Sequence, residues 1–231
     1  MNPVVFTRAG FLRGARTGLA LAPAMTPFGL VLGVLAAGKG LSLLETVLMS
    51  GLVFAGTAQI VALELWAEPA PILAATLAAF VINLRLAPMG AALAPWLDRL
   101  RGVRLWGTLA TLVDNSFAVA IADQRSGGRD AALLLGIGVA MWVVWVVTSA
   151  AGHAFAGLLS LPPGHPVFFA ALASILAIMV PLWRGRGDAA PWLAAGGVAL
   201  AVHAAGLGAP WPVLAGALSG AALGAALDQR R

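Results

Sequence analysis

GLVFAGTAQIVALELWAEPAPILAATLAAFVINLRLAPMGAALAP, residues 51–95, is the stretch whose reading decides the fold. Two long apolar runs are joined by a short acidic bend. Each run carries polar groups that hydrocarbon penalises: Gly56, Thr57 and Gln59 in the first, Asn83 and Arg85 ahead of Pro88 in the second. In a bilayer such groups persist where they face protein, water or a ligand. They form the leading candidate site.

The rest of the chain supports a membrane setting. Of 231 residues, 61% are hydrophobic and 10% are charged. Soluble domains carry roughly 25% charged residues, and so few charges cannot cover the surface of a soluble protein of this size. The expected fold is all-α: a polytopic helical membrane protein of six to eight segments at ~20 apolar residues each. It acts as a single domain, residues 1–231. The net charge of +5 sits in short loops, where it reports topology rather than nucleic-acid binding. Cysteine is absent, which excludes disulfides and thiolate chemistry. Tyrosine is absent too, so the eight Trp supply most interfacial anchoring.

Arg8, Arg13 and Arg16 precede the first apolar segment, residues 17–38. Pro23 and Pro27 interrupt it, which fits a kinked span or a re-entrant helix. In residues 41–66, Ser42, Thr46, Ser50 and Thr57 fall within an arc of about 80° on one helix. Gln59 joins that stripe only if the backbone loosens near Gly56. In residues 70–97, Pro88 frees the Leu84 carbonyl. Asn83 and Arg85 lie about 200° apart on a regular helix, so they cannot share a face. Arg99, Arg101 and Arg104 then lead into a weaker segment, residues 105–122. Its Asp114 is either interfacial or a bundle-facing carboxylate that pairs with Arg85 or takes a proton.

Four further apolar segments follow, at 131–157, 166–183, 189–206 and 211–227. His153 and His203 sit near span ends and read as structural. Gly216, Gly220 and Gly224 make overlapping GxxxG patterns, a surface for an internal helix or a partner subunit.

Two topologies compete. If 17–38 and 105–122 re-enter from the cytoplasm, six segments cross, and every Lys and Arg except Arg85 lies inside. The charge rule favours this over eight kinked spans. Both arrangements put the two termini in the cytoplasm.

No HExxH and no Gly-rich phosphate loop ending in Lys and Ser or Thr occurs. No cluster has metal-ligand spacing. An enzyme is not expected, nor a cofactor or a metal.

The runs LMSGLVFAGTAQIVAL and INLRLAPMGAALAPWL, with PFGLVLGVLAAGKGLS before them and TLVDNSFAV after, resemble the AzlC-type branched-chain amino acid exporter family. The resemblance covers roughly residues 15–120. It implies the large subunit of a two-component exporter in a bacterial cytoplasmic (inner) membrane. That subunit works with a small AzlD-type membrane protein to expel branched-chain or related apolar amino acids. The motif positions carried over are Phe54, Gly56, Thr57, Gln59, Asn83 and Arg85 for substrate and Asp114 for coupling. Two departures remove polar groups: Leu86, Ala87, Pro88 and Met89 follow the arginine, and Asn115 stands where an acidic residue is usual. An exporter of another small zwitterion or organic acid, or a non-transporting membrane subunit, is the alternative reading.

Overall fold

The computed structural model describes residues 4–66, 72–159, 183, 185–207 and 211–228. The segment expected at 166–183 lies outside them except for Trp183, as do Glu68 and Arg230-Arg231.

Among the described residues the chain is helical, with one isolated bridge between Val5 and Asp130. The longest helices are α1 (Arg8–Gly38) and α9 (Ala132–Leu159). At 1.5 Å per residue, each exceeds the ~30 Å of a hydrocarbon core. Arg8–Gly38, Ala75–Ala92 and Ala132–Ala156 are long and apolar enough to cross a membrane.

Helices α1 and α9 pack parallel to each other. Asp130 joins their starts: its Oδ1 accepts from the Thr7 amide at 3.1 Å and from the Ala132 amide at 3.2 Å. Thr7 in turn caps α1 by accepting from the Gly10 amide at 2.9 Å. Glycines then let the backbones touch. A Cβ at Gly14 would overlap the Leu133 carbonyl, at Gly136 the Phe11 carbonyl, at Gly33 the Ser149 carbonyl, and at Gly152 the Leu30 carbonyl. The partners rise together along both helices, which fixes the parallel register.

The expectation of a broken or re-entrant 17–38 is therefore corrected. Pro23 and Pro27 lie inside a continuous 31-residue helix. Four residues apart, they share one face, and both are exposed. The missing donors fall there, while the glycine face stays locked to α9.

The next segment carries the break instead. Helix α2 (Leu43–Val53) starts at a capping box, in which the Glu45 amide donates to Ser42 Oγ at 3.2 Å and the Ser42 amide donates to Glu45 Oε2 at 2.7 Å. It ends at Phe54, which adopts φ 33°, the left-handed region, and is alone in doing so among described non-glycine residues. Helix α3 (Gly56–Glu64) then begins. Gln59 Nε2 donates to Ser50 Oγ at 3.4 Å. On one straight helix those Cα atoms would stand about 13 Å apart, beyond side-chain reach. The chain turns back at Phe54 and Ala55, and α2 with α3 forms a hairpin entered from the Lys39 end.

Helices α4 (Ile72–Asn83), α5 (Leu86–Ala92) and α6 (Ala94–Leu97) carry the chain to the opposite end. There Arg99, Leu100 and Arg101 share a cleft with residues 4–6. Helices α7 (Gly102–Ala110) and α8 (Asp114–Arg125) make a second hairpin. Its entry lies against the N-terminal segment, with Arg104 over the Phe6 ring at 5.2 Å. Its exit returns there too: Val5 N donates to the Arg129 carbonyl at 2.9 Å. Residues 105–122 thus form a broken hairpin rather than a span.

Helices α10 (Ala189–Ala204) and α11 (Trp211–Asp228) pair with each other. Gly216 and Gly220 meet Ala195, Ala199 and Pro191, and Gly224 meets Pro191, so the GxxxG face docks an internal helix.

This arrangement is testable because the chain has no cysteine of its own. Arg101→Cys and Ser126→Cys are expected to react with an impermeant thiol reagent on one face of the membrane, and Lys39→Cys on the other. Labelling of Lys39→Cys and Ser126→Cys from the same face would rule the arrangement out.

Candidate functional site

The two hairpins enter from opposite ends, and their tips reach the first half of α9 four residues apart. The tip of α7 and α8 reaches α9 at Gly138, where an added Cβ would overlap Thr111. The tip of α2 and α3 reaches it at Trp142, whose Nε1 donates to the Gly51 carbonyl at 2.9 Å. Four residues separate those contacts, about 6 Å along a helix. Each hairpin's first helix is nine or eleven residues long, so each tip lies roughly 14–17 Å from its entrance, about half a hydrocarbon core.

Gln59 braces the first tip. It is 0% exposed. Its Oε1 accepts from Trp145 Nε1 at 3.0 Å, and its Nε2 donates to Ser50. Gly56 sits against the same tryptophan: a Cβ there would lie 2.5 Å from Phe28 Cε1 and 2.8 Å from Trp145 Cη2. Thr46 continues the polar face of α2, with its Oγ1 2.9 Å from His153 Nδ1. Of the expected Ser42, Thr46, Ser50 and Thr57 stripe, Thr46 and Ser50 are buried, Ser42 stays exposed as the α2 cap and Thr57 is half-buried in α3. Gln59 reaches Ser50 because the backbone breaks just before Gly56.

Gln59→Leu is expected to destabilise the protein by about 1–3 kcal/mol, because Trp145 Nε1–H is then buried without an acceptor. Trp145→Phe in the same background should recover part of that loss. Thermal unfolding of the single and double variants measures both, and an unchanged Tm for Gln59→Leu would remove the bracing role.

The second tip carries the charge. Asp114 is the first residue of α8, and its Oδ2 lies 2.7 Å from Arg85 Nη1. Arg85 stands at the junction of α4 and α5. Pro88 supplies no amide there, and the Leu84 carbonyl accepts instead from the Ala87 amide at 3.1 Å. This tightened turn sets Arg85 apart from Asn83, which ends α4 with a buried Oδ1 that has no partner among the described residues. The positive end of the α8 dipole favours the Asp114 carboxylate. Within the chain alone, the two side chains are 42% and 50% exposed.

Two features, one at each tip, suit a carboxylate: the Arg85 guanidinium at the second, and at the first the leading amides of α3, where Ala55 provides no side-chain cap. Thr57 lies in that first turn, half-buried, and Phe54 closes the tip from inside the core. Sequence reasoning missed Trp145 as the partner of Gln59. The signal was present, since an indole N–H in mid-span needs an acceptor. No group of three or more His, Cys, Asp or Glu able to hold a metal occurs among the described residues.

Residues 20–159, which contain both hairpin tips and the Arg85–Asp114 pair, match the AzlC protein family. The chain belongs to the AzlC family. The match spans well over half of its length and extends past the sequence resemblance to include α9. An "Uncharacterized membrane protein" of Archaeoglobus fulgidus is 28% identical over 198 residues, 84% of this chain and 85% of that protein. No solved structure matches the chain. AzlC membership supports a membrane transporter-like role for the chain.

Proposed function

We propose that this chain is the large subunit of a secondary transporter that exports branched-chain or related apolar amino acids. It works in a bacterial cytoplasmic membrane, with both termini inside and with a small AzlD-type membrane protein as its partner. The observation that carries the reading is the Arg85–Asp114 pair, which joins the break between α4 and α5 to the tip of the α7–α8 hairpin. Discontinuous helices at the midplane are where transporters place substrate sites, because half-helix ends offer unpaired backbone groups to a charged substrate.

An amino acid presents a carboxylate, an ammonium and an apolar side chain. Arg85 or the α3 amides at Gly56 and Thr57 take the carboxylate. Asn83 Oδ1 and the Leu84 carbonyl take the ammonium, and Phe54 with neighbouring alanines borders the apolar side chain. Gln59, satisfied by protein on both ends, shapes the tip. When substrate leaves, Asp114 balances Arg85, and it carries a proton when the pair opens. The sequence has no phosphate loop, so an ion gradient supplies the energy.

The test is efflux. Cells loaded with Leu- or Val-containing dipeptides, and liposomes containing the purified chain with and without the small partner, should export the freed amino acid faster than empty controls. Reconstituted protein and partner that move no amino acid across a panel would overturn this function.

A further inference from the structure

A cleft of about 470 Å³ opens at the end of the molecule that holds the α1 start and both ends of the α7–α8 hairpin. It is lined by residues 4–6 and by Arg99, Arg101, Arg104 and Val103. Three guanidinium groups border it, and none has a carboxylate partner among the described residues. Arg104 lies over the Phe6 ring at 5.2 Å. Arg101 Nη1 donates to the carbonyls of Asp98 at 3.1 Å and Leu100 at 3.2 Å. The Arg99 side chain has no hydrogen bond or ion pair among the described residues, and the nearby Asp98 carboxylate has no ion pair there. Like charges held this close repel one another, so the arrangement is favoured by an anion with several acceptor oxygens. The first turn of α7 has no side-chain cap and adds N–H donors at the same rim.

The flank of the cleft is apolar. Val103 is 89% exposed and Trp106 is 69% exposed, both on α7. A basic rim beside an aromatic and aliphatic face is the pattern of a helix lying at a membrane surface.

We propose that this cleft binds the phosphate of an anionic phospholipid in the adjoining leaflet. The phosphate sits among Arg99, Arg101 and the α7 amides, and the acyl chains run past Val103 and Trp106. A soluble phosphate would satisfy the arginines but leave that apolar flank uncovered. The bound lipid holds the foot of the hairpin whose tip carries Asp114, so it stabilises the folded protein in anionic membranes.

The experiment compares the purified full chain in nanodiscs of phosphatidylcholine with nanodiscs that also contain phosphatidylglycerol. Phosphatidylglycerol should raise Tm by about 2–4 °C. Arg99→Gln with Arg101→Gln should lose at least half of that rise, measured from the variant's own Tm in phosphatidylcholine, because Arg101→Gln also removes its bonds to the Asp98 and Leu100 carbonyls. Arg99→Gln alone, which breaks no bond in the protein, should show a smaller loss in the same direction. Arg8→Gln with Arg13→Gln, at the same end but outside the cleft, should keep the rise. A full rise in the Arg99/Arg101 variants, or an equal loss in the Arg8/Arg13 control, would overturn the site. Inorganic phosphate reproducing the rise in phosphatidylcholine nanodiscs would overturn the lipid assignment.

Discussion

Arg85→Ala is expected to reduce export by about 10–100-fold while leaving the chain folded and in the membrane. The estimate follows from the surroundings of the pair. Removing one member of a buried ion pair costs roughly 3–5 kcal/mol, and an exposed pair contributes about 0–1 kcal/mol. Arg85 and Asp114 are about half covered by the chain itself, which puts the penalty between those limits, near 1–3 kcal/mol. If it falls on the loaded state, it appears as the stated loss of rate. Asp114→Asn should behave similarly, with a weakened dependence on external pH if Asp114 carries the coupling proton. Arg85→Gln with Asp114→Asn separates structure from function. Neutralising both removes the orphaned charge and should restore stability, yet the substrate carboxylate still lacks its cation, so export stays low. Arg85→Lys should recover only part, since an ammonium cannot make the guanidinium's two-pronged contact. Normal efflux from well-expressed Arg85→Ala would eliminate the central assignment.

The residues that make this pair were legible because hydrocarbon leaves few explanations for an arginine and an aspartate in apolar runs. The same logic made the α2 stripe readable, along with the condition under which Gln59 joins it. The path of the backbone was harder to read. Pro23 and Pro27 advertise a break, yet α1 runs through them. A proline cancels a single hydrogen bond, and contacts to α9 on the opposite face outweigh that loss. The real reversal falls at Phe54 and Ala55. Nothing local marks it, because phenylalanine rarely adopts positive φ and no glycine or proline occupies either position. Residues 41–66 are long and apolar enough to read as one span. Only the Ser50, Gln59 and Trp145 bonds, which join distant parts of the chain, show that they turn back. The glycine face at 216, 220 and 224 was readable as a groove, but its occupant, α10, was not, since many helices offer small residues.

Gly33→Ala is expected to destabilise the protein by about 2–3 kcal/mol. Lipid tails are as apolar as the helices, so burial does not hold α1 to α9; close backbone packing does. At Gly33 an added Cβ would overlap the Ser149 carbonyl oxygen and come within 2.5 Å of the His153 nitrogen and 2.9 Å of the Gly152 carbonyl carbon. These are backbone atoms of a continuous helix and cannot rotate aside. The helices must separate along their length, and overpacking of this kind costs about 1–3 kcal/mol. Gly196→Ala on α10 is the control: no described atom lies within 4 Å of its added Cβ, and alanine favours helix over glycine by up to about 1 kcal/mol. Unfolding of both variants in nanodiscs gives the comparison, and equal stability would show that the close approach of α1 and α9 does not hold the fold. Transport should fall with stability in Gly33→Ala. The same stretch of α9 carries His153 against Thr46 and, two turns earlier, Trp145 against Gln59. A shift of α1 there moves the wall on which the first hairpin tip rests, and with it the distance between that tip and Arg85.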